Sequence, residues 1–483
     1  MRTLRARSKR WTVVGALATA VTLTIGALSA AAADGRPTGT AGSADFSSRL
    51  QPIDGFGFSA AFGRAALIHG MPSEQRQQIV DLLLSPKDGA GLSILRMSIG
   101  SAPDGVGDNR SIEPVDPGGP GTPPVYQWDV NDSGQVWLAE QAKAFGVRRF
   151  YADAWSAPPF MKTNAAVANG GAICGLPETA CASGDWRQAY ANYLVQYARF
   201  YRGEGIDITD LGFTNEPNFV ATYASMKLDE AQVSDMLQVL GPTVRQSGLP
   251  LSIVCCDATG WSPEVRYTTA IESNPDVARW VDVISGHEYG SPARSPQPTQ
   301  KRTWMSEWQA GGTPWNTAWD DGTQTAGITL AEDVSGALTQ AGVSAYIYFF
   351  AASLGATGGF IQLDGNQFHV SKRLWAIAAY SRFIRPRAFR VSANASDPSL
   401  QISAFRNQDG SKVIEIINTA TAATTTRLRL NPGTAAARPT AYVTDTDRSL
   451  APANVAHVEG RALSVDLAPR ALTTVVLQAP DRR

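Results

Sequence analysis

Cysteine, histidine and net charge are all scarce in this sequence. Its 483 residues include four cysteines and four histidines, and none of these lie at the spacing of a zinc site, so we expect neither a transition metal nor a cofactor. The formal net charge is −1, without a long run of one sign. This balance argues against nucleic acid or an anionic membrane as the partner and favours a neutral or weakly charged polymer.

Long apolar runs are also rare, and the one present lies at the amino terminus. Basic residues in the first ten positions precede an apolar run from about Trp11 to Ala27, and small residues follow up to Ala33. This order is typical of a secretory signal peptide over residues 1–33 and predicts a secreted, extracellular protein. A retained membrane anchor is the alternative, because the run is nearly long enough to span a bilayer.

Export would permit disulfide bonds. Cys174 and Cys181 bracket a short loop that contains Gly and Pro, and we predict that they form a bridge. Cys255 and Cys256 are adjacent on a predicted strand, where successive side chains point to opposite faces, so we predict two buried free thiols.

Two carboxylates follow apolar segments that are predicted to be buried strands. The segment IDITDLGFTNEP delivers Asn215 and Glu216 immediately before a proline, and TWMSEW delivers Glu307 between Trp304 and Trp308. Strand ends at the carboxyl face of a parallel barrel are where active sites lie. Paired acids suit glycosidic bond hydrolysis, and indole rings suit the apolar faces of sugars. A surface acid that caps the next helix is the alternative for Glu216.

The remaining chain predicts an α/β fold, an eightfold (β/α) barrel over residues 53–384 with a small antiparallel β-sandwich over 385–483. Residues 34–52 form a short lead between the signal peptide and the barrel. Amphipathic helices are predicted over Trp186–Arg202 and Asp229–Gln246. The eight barrel strands are predicted at Ile53–Ser59, Ser93–Ile99, Arg148–Ala152, Asp210–Glu216, Leu251–Asp257, Val281–His287, Thr303–Trp308 and Ala345–Ala351.

Several long stretches resemble glycoside hydrolase family 30, a clan of exported retaining β-glycosidases. They are IDGFGFSAAFGRA, LRMSIGS, YADAWSAPPFMKTN, GFTNEP, HEY and WMSEWQ. Within that family the chain is most similar to subfamily 7, whose members act on xylan, through SAPPFMKTN, the loop from GGAICG to CASGDWRQAYANYLVQY, and CCDATGW. The resemblance also implies that the amino-terminal lead adds a strand to the side domain.

The resemblance implies roles for individual residues. Glu216 would be the general acid/base and Glu307 the nucleophile, while Asn215 would bind the sugar 2-hydroxyl. Arg96 and Tyr289 would keep the nucleophile ionised and aimed. His287 is expected to contact Glu216 or the substrate, with a purely structural role as the alternative. Trp155 and Tyr151 are candidate sugar platforms, with core packing as the alternative, and the eighth strand lacks the Trp that relatives often place there.

The sequence therefore predicts a retaining hydrolase of β-1,4-xylan or glucuronoxylan, acting as a monomer on a polysaccharide. Arg64 follows the first strand and is expected to pair with the carboxylate of a glucuronic acid branch, or else to be a solvated arginine. The alternatives are an endo-β-1,6-galactanase, a glucosylceramidase-like β-glycosidase, a metal-dependent barrel hydrolase and a non-catalytic carbohydrate-binding protein.

Overall fold

The first strand, β1 (Gly42–Asp45), belongs to the side domain and not to the barrel. It pairs antiparallel with one carboxyl-terminal strand and parallel with another. The computed structural model describes residues 41–311, 314–355, 357–432 and 439–478. The signal-peptide prediction lies outside these residues. Within them, no helix has the length and apolar character that crossing a membrane requires.

Eight parallel strands then close into a barrel, which confirms the predicted fold class. The strands are β2 (Gly55–Ser59), β3 (Ile94–Ser98), β4 (Arg149–Asp153), β5 (Asp210–Leu211), β6 (Ser252–Ala258), β7 (Val283–His287), β8 (Arg302–Glu307) and β9 (Ala345–Phe350). Each is buried on both faces, apart from the first residue of three of them. Because both faces are buried, the sequences of these strands are mostly apolar and do not alternate between apolar and polar residues.

Helices surround the barrel, and two of them show why the sequence forms them. The helix from Glu230 begins after Asp229, whose carboxylate accepts a hydrogen bond from the Gln232 backbone N–H at 2.8 Å, a capping box. The helix from Arg187 buries a row of tyrosines at helical spacing. The helices are α1 (Arg64–His69), α2 (Ser73–Leu84), α3 (Gln135–Ala144), α4 (Arg187–Gly203), α5 (Glu230–Ser247), α6 (Trp261–Glu272), α7 (Pro275–Ala278), α8 (Gly327–Gly336) and α9 (Lys372–Phe383).

The carboxyl-terminal domain forms a sheet of ten strands that is antiparallel except where β1 joins it. Three strands of this region were not predicted, namely Phe389–Ala395, Ala451–Ala453 and Ala456–Glu459. The last two have three and four residues, too few for a pattern to mark a strand, whereas the first alternates apolar and polar residues and could have been predicted. Along the chain, between the last barrel strand and the side domain, a small sheet is formed by β10 (Ala352–Leu354), β11 (Ile361–Asp364) and β12 (Gln367–Val370). The side-domain strands are β13 (Phe389–Ala395), β14 (Leu400–Arg406), β15 (Lys412–Asn418), β16 (Thr424–Asn431), β17 (Pro439–Thr444), β18 (Ala451–Ala453), β19 (Ala456–Glu459), β20 (Ala462–Leu467) and β21 (Ala471–Leu477).

The side domain has one core of its own and one that it shares with the barrel. Phe405, Val413 and Leu472 belong to the same buried apolar cluster as helices α8 and α9. At the edge of this interface the Trp319 indole N–H donates to the Arg470 carbonyl at 2.6 Å, and Arg470 pairs with Asp320 at 2.7 Å. Removing the side domain would therefore expose apolar helix faces of the barrel.

Candidate active site

The two glutamates reach the barrel mouth by different routes. Glu307 is the last residue of β8. Glu216 was predicted to end a strand, but β5 stops at Leu211. Gly212 packs so closely against Asp153 that a Cβ at this position would lie 2.1 Å from its Oδ1. The chain then crosses the mouth in an irregular conformation, and Glu216 has a positive φ of 48°. Both side chains are buried at the carboxyl ends of the strands.

Glu216, His287 and Glu307 form one compact group. Each offers one oxygen or nitrogen atom within 4.8 Å of the others. The His287 Nδ1 lies 3.2 Å from Oε1 of Glu216, and its Nε2 lies 3.9 Å from Oε2 of Glu307. The imidazole therefore lies between the two carboxylates, and of the two expected contacts of His287 the structure places Glu216 beside it.

Arg96 is the buried cation beneath this group. One guanidinium nitrogen binds Oε2 of Glu307, and the other binds Asp153 at 2.7 Å, Asn215 at 2.7 Å and Asp257 at 2.8 Å. The Tyr289 hydroxyl donates to Oε1 of Glu307 at 2.9 Å. Both carboxylate oxygens of Glu307 thus have a donor, which fixes the direction in which this side chain points.

Burial and neighbouring charges act against each other in this cluster. Burial raises the pKa of the Glu307 carboxyl, and the cations His287 and Arg96 oppose that rise. Burial disfavours the imidazolium of His287, but the carboxylates of Glu307, Asp257 and Glu216 outweigh this effect and raise the pKa of His287 to about 10. His287 is therefore a cation at neutral pH.

Two further carboxylates, those of Asp153 and Asp257, also bind Arg96. Burial disfavours charge on Asp257, but Arg96 and His287 hold its pKa below the usual range. Burial and the neighbouring Asp257 raise the pKa of Asp153 well above its usual value. Asp257 is therefore the charged counter-ion of the two buried cations, Arg96 and His287.

A cavity of about 920 Å³ opens above the glutamate pair. Its apolar wall brings aromatic rings together from different loops, with centroids 5.4 Å apart for Phe62 and Trp155, 5.9 Å for Phe62 and Tyr223, and 3.9 Å for Phe349 and Phe350. Phe349 and Phe350 stand at the end of the eighth barrel strand, where the sequence lacks Trp. Rings and buried carboxylates together suit a sugar chain.

Of the two predicted sugar platforms, the structure places one at the cavity and one in the core. Trp155 lines the cavity, and the Arg96 guanidinium lies 4.4 Å from its ring centroid. Tyr151 was a wrong prediction as a platform. It is 0% exposed inside the barrel, and its hydroxyl donates to Asp257 at 2.8 Å, because its strand position points inward.

Arg64 also lines the cavity, as the first residue of α1. Its guanidinium lies 4.2 Å from the Phe350 ring centroid, and one terminal nitrogen donates to the Phe62 carbonyl at 2.8 Å. Its Nε is buried and has no hydrogen-bond partner among the described residues. Because Nε has no partner among the described residues, Arg64 can still donate a hydrogen bond to a ligand.

Sequence reasoning missed three residues of this site. Asp153 and Asp257 end or follow the apolar runs of β4 and β6, so the same strand-end rule that selected the glutamates applies to them. Tyr223 lies in a loop with no strand or motif to mark it, and its hydroxyl donates to Oε2 of Glu216 at 3.3 Å. Such a contact depends on loop folding that a sequence pattern does not encode.

The cysteines give one confirmation and one correction. Cys174 and Cys181 form the predicted bridge, with an S–S distance of 2.01 Å. The prediction of two free thiols at Cys255 and Cys256 was wrong, since they form a vicinal disulfide. The prediction assumed that their side chains point to opposite faces of the strand, whereas the Cα atoms lie 3.0 Å apart and the two sulfur atoms are bonded to each other.

In the part of the chain that the structure describes, three side chains able to bind a metal meet at one place, which is the Glu216, His287 and Glu307 group. A metal needs a neutral imidazole, whereas the carboxylates around His287 keep it protonated. Arg96 already supplies a positive charge to Glu307. The arrangement therefore fits proton transfer between carboxylates and a substrate.

A parallel eightfold barrel with two buried glutamates facing one cavity is the construction of a barrel glycoside hydrolase. Comparison with known protein families identifies the glycoside hydrolase family. Residues 43–287 match the O-glycosyl hydrolase family 30 model, and residues 388–475 match the family 30 β-sandwich domain. The chain belongs to glycoside hydrolase family 30.

Three known proteins illustrate its similarities. The catalytic domain of a family 30 xylanase C from Talaromyces cellulolyticus is 39% identical, with a TM-score of 0.85 over 91% of this chain and 100% of that chain. An endo-1,6-β-D-glucanase of Neurospora crassa is 24% identical over 81% of this chain and 85% of that protein. A glucuronoxylanase of Bacillus subtilis is 22% identical over 60% of this chain and 66% of that protein.

Proposed function

We propose that this protein is a secreted, monomeric, retaining endo-β-1,4-xylanase that acts on glucuronoxylan. The observation that carries the retaining mechanism is the distance between the two glutamates, which offer oxygen atoms within 4.8 Å of one another. Retaining enzymes hold their carboxyl groups about 5–5.5 Å apart, and inverting enzymes leave about 6.5–9.5 Å for a water molecule. The spacing supports direct attack by a carboxylate.

In the first half of the reaction, Glu216 is the acid and Glu307 the nucleophile. A Glu307 carboxylate oxygen attacks the anomeric carbon, and the bond from that carbon to the leaving-group oxygen breaks. Glu216 gives its proton to that oxygen, so the leaving chain departs with a hydroxyl group. Arg96 and Tyr289 support this assignment because they bind Glu307 and favour its charged form.

In the second half, Glu216 is the base. It takes a proton from a water molecule, whose oxygen attacks the anomeric carbon and displaces Glu307 with net retention of configuration. Arg96 engages the Asn215 amide oxygen at 2.7 Å, and we assign the amide N–H donors of Asn215 to the sugar 2-hydroxyl. The imidazolium of His287 stabilises both carboxylates while their charges change.

Two observations support a branched xylan as substrate. The xylanase C of Talaromyces cellulolyticus is 39% identical and aligns over its full length. Arg64 brings a guanidinium with an unpartnered Nε to the cavity wall, which suits the carboxylate of a glucuronic acid branch. The stretches shared with subfamily 7 favour the same substrate.

A β-1,6-linked glucan is a second candidate, because the Neurospora crassa endo-1,6-β-D-glucanase aligns over most of both chains. A glucosylceramidase-like activity and a β-1,6-galactanase activity belong to the same group of alternatives, and putative glucosylceramidases of Caenorhabditis elegans are also similar, at 24% identity for one of them. All of these would use the same glutamate pair, so the choice depends on the cavity walls.

A hydrolysis panel separates these candidates. The purified protein is incubated with glucuronoxylan, arabinoxylan, β-1,6-glucan, β-1,6-galactan and glucosylceramide, and released sugars are measured. NMR of the first product gives its anomeric configuration. We expect the highest kcat/KM on glucuronoxylan and a β-product. Faster cleavage of β-1,6-glucan would replace the proposed substrate, and an α-product would refute the retaining mechanism.

A further inference from the structure

Lys162 is a buried lysine that the proposed mechanism does not use. It belongs to the SAPPFMKTN stretch and is 3% exposed. Its ammonium donates to the Ser156 hydroxyl at 2.8 Å and to the carbonyls of Ala166 at 2.8 Å, Val167 at 3.2 Å and Ser225 at 2.7 Å. All four partners are uncharged oxygen atoms, and an ammonium group offers three donors with no acceptor, so the surroundings match its protonated form.

These partners come from three segments that are distant in sequence. Ser156 follows Trp155 in the cavity wall, Ala166 and Val167 lie in the next loop, and Ser225 lies two residues after Tyr223. The loops also bind each other, since the Ser225 backbone N–H donates to the Val167 carbonyl at 3.1 Å. Lys162 therefore joins the Trp155 segment to residues 221–225, which we call the Tyr223 segment.

The Tyr223 segment contacts the proposed acid/base, Glu216, through its tyrosine. Its tyrosine ring is 43% exposed at the cavity, and its hydroxyl donates to Oε2 of Glu216. His287 binds the other oxygen, Oε1, at 3.2 Å. Tyr289 and Glu307 also face this carboxylate across the cavity. A hydroxyl that donates to Glu216 stabilises the carboxylate that proton transfer to the leaving group creates.

We infer that Lys162 is a positioning residue for general acid catalysis, because it anchors the Tyr223 segment and thereby holds the Tyr223 hydroxyl against Glu216. This inference rests on the proposed role of Glu216. It predicts that replacing Lys162 lowers kcat/KM more on substrates whose leaving group must be protonated than on substrates whose leaving group departs without a proton. An activated aryl leaving group departs without protonation, whereas an alkyl or sugar leaving group does not.

The test compares two aryl β-glycosides of the sugar that the hydrolysis panel identifies, one with dinitrophenol and one with phenol as leaving group. Burial lowers the pKa of Lys162 to about 7, so the assays are run well below that pH. We expect Lys162→Met to lower kcat/KM about tenfold on the phenyl glycoside and less than about twofold on the dinitrophenyl glycoside. Lys162→Arg should restore part of the loss. Lys227→Met, at an exposed lysine nearby, is the matched control and should change neither rate.

A double-mutant cycle tests whether Lys162 acts on Glu216 through Tyr223. Tyr223→Phe should give the same selective loss, and the double variant should be no slower than Lys162→Met alone. Additive losses would show that the lysine does not act through Tyr223. Equal losses on both substrates, with a lowered Tm, would reduce Lys162 to a structural role. Should Lys162→Met fail to fold, Ser156→Ala removes one contact of the ammonium and should give a smaller loss of the same selectivity.

Amide hydrogen exchange separates this inference from the proposed function. Lys162→Met should speed exchange of backbone N–H groups in residues 166–171 and 221–225, such as that of Ser225, and leave the barrel strands unchanged. This measurement needs no substrate. A wild type without glycosidase activity would refute the proposed function, whereas unchanged exchange in these two segments would refute the anchoring by Lys162.

Discussion

Arg64 offers the sharpest test of substrate specificity. Its guanidinium is held between the Phe350 ring, 4.2 Å away, and the Phe62 carbonyl, 2.8 Å away. Its Nε has no partner among the described residues, and burial lowers the pKa of Arg64. No carboxylate of the described residues forms an ion pair with this partly buried cation. A carboxylate on the substrate would supply the opposite charge through a planar, two-point contact.

The size of the effect follows from this geometry. A hydrogen bond to a charged group contributes about 1.5–3 kcal/mol, which corresponds to about ten- to a hundredfold in kcat/KM. Arg64 remains partly open to solvent, and solvent screens such a pair, so the lower end applies. We expect Arg64→Ala to lose about tenfold on glucuronoxylan. Arg64→Lys keeps the charge but not the planar fork and should lose less.

The assay compares kcat/KM on glucuronoxylan, on the same xylan after removal of its acidic branches, and on arabinoxylan. The wild type should prefer the first, and Arg64→Ala should cleave all three at similar rates while keeping its activity on linear xylo-oligosaccharides. Arg202→Ala is the matched control, because Arg202 lies exposed on α4. If wild type and Arg64→Ala show the same ratio of rates between branched and debranched xylan, Arg64 does not bind the branch.

Three other outcomes are expected. Glu307→Gln should abolish turnover with every leaving group, whereas Glu216→Ala should recover activity with an activated leaving group and added azide, and equal losses without rescue would contradict the two roles. The pKa of His287 is raised from 6.5 to about 10, so its contribution to the free energy of unfolding is full below about pH 6.5 and is lost as the pH rises toward 10. His287→Asn should flatten the alkaline decline in Tm, and parallel declines would argue against this charge. A chain that ends at Pro386 should be insoluble because it exposes the faces of α8 and α9, and a soluble, active fragment would show that the interface is dispensable.

Much of the barrel was predictable from sequence because its strands are continuous apolar runs. Seven of the eight predicted strands match the observed ones to within about two residues at either end, and the exception is the one that carries Glu216. That segment keeps an apolar pattern up to Phe213, but Gly212 packs against Asp153 and the ladder ends early. An apolar pattern indicates that a segment is buried, but a buried segment need not form a regular strand.

Local backbone geometry explains the errors at single residues. Cys255 and Cys256 were predicted to be free thiols because successive side chains on a strand point to opposite faces, and no pattern in the sequence marks this pair as bridged. Tyr151 and Trp155 lie four residues apart in one motif, yet one points into the barrel and the other lines the cavity. The end of β4 at Asp153 separates them, because inward and outward positions alternate only within the strand.

The strand-end rule selects acids, but it does not by itself say which of them perform catalysis. Four of the carboxylates near the carboxyl ends of barrel strands lie around Arg96 and His287, namely Asp153, Glu216, Asp257 and Glu307. Asp257 accepts from Arg96, from the Tyr151 hydroxyl at 2.8 Å and from the Ser306 hydroxyl at 2.5 Å, and Asp153 lies beneath the same arginine. Only the two glutamates of this set line the cavity. Asp153 and Asp257 therefore bind the buried cations, whereas Glu216 and Glu307 are the acids that face the cavity.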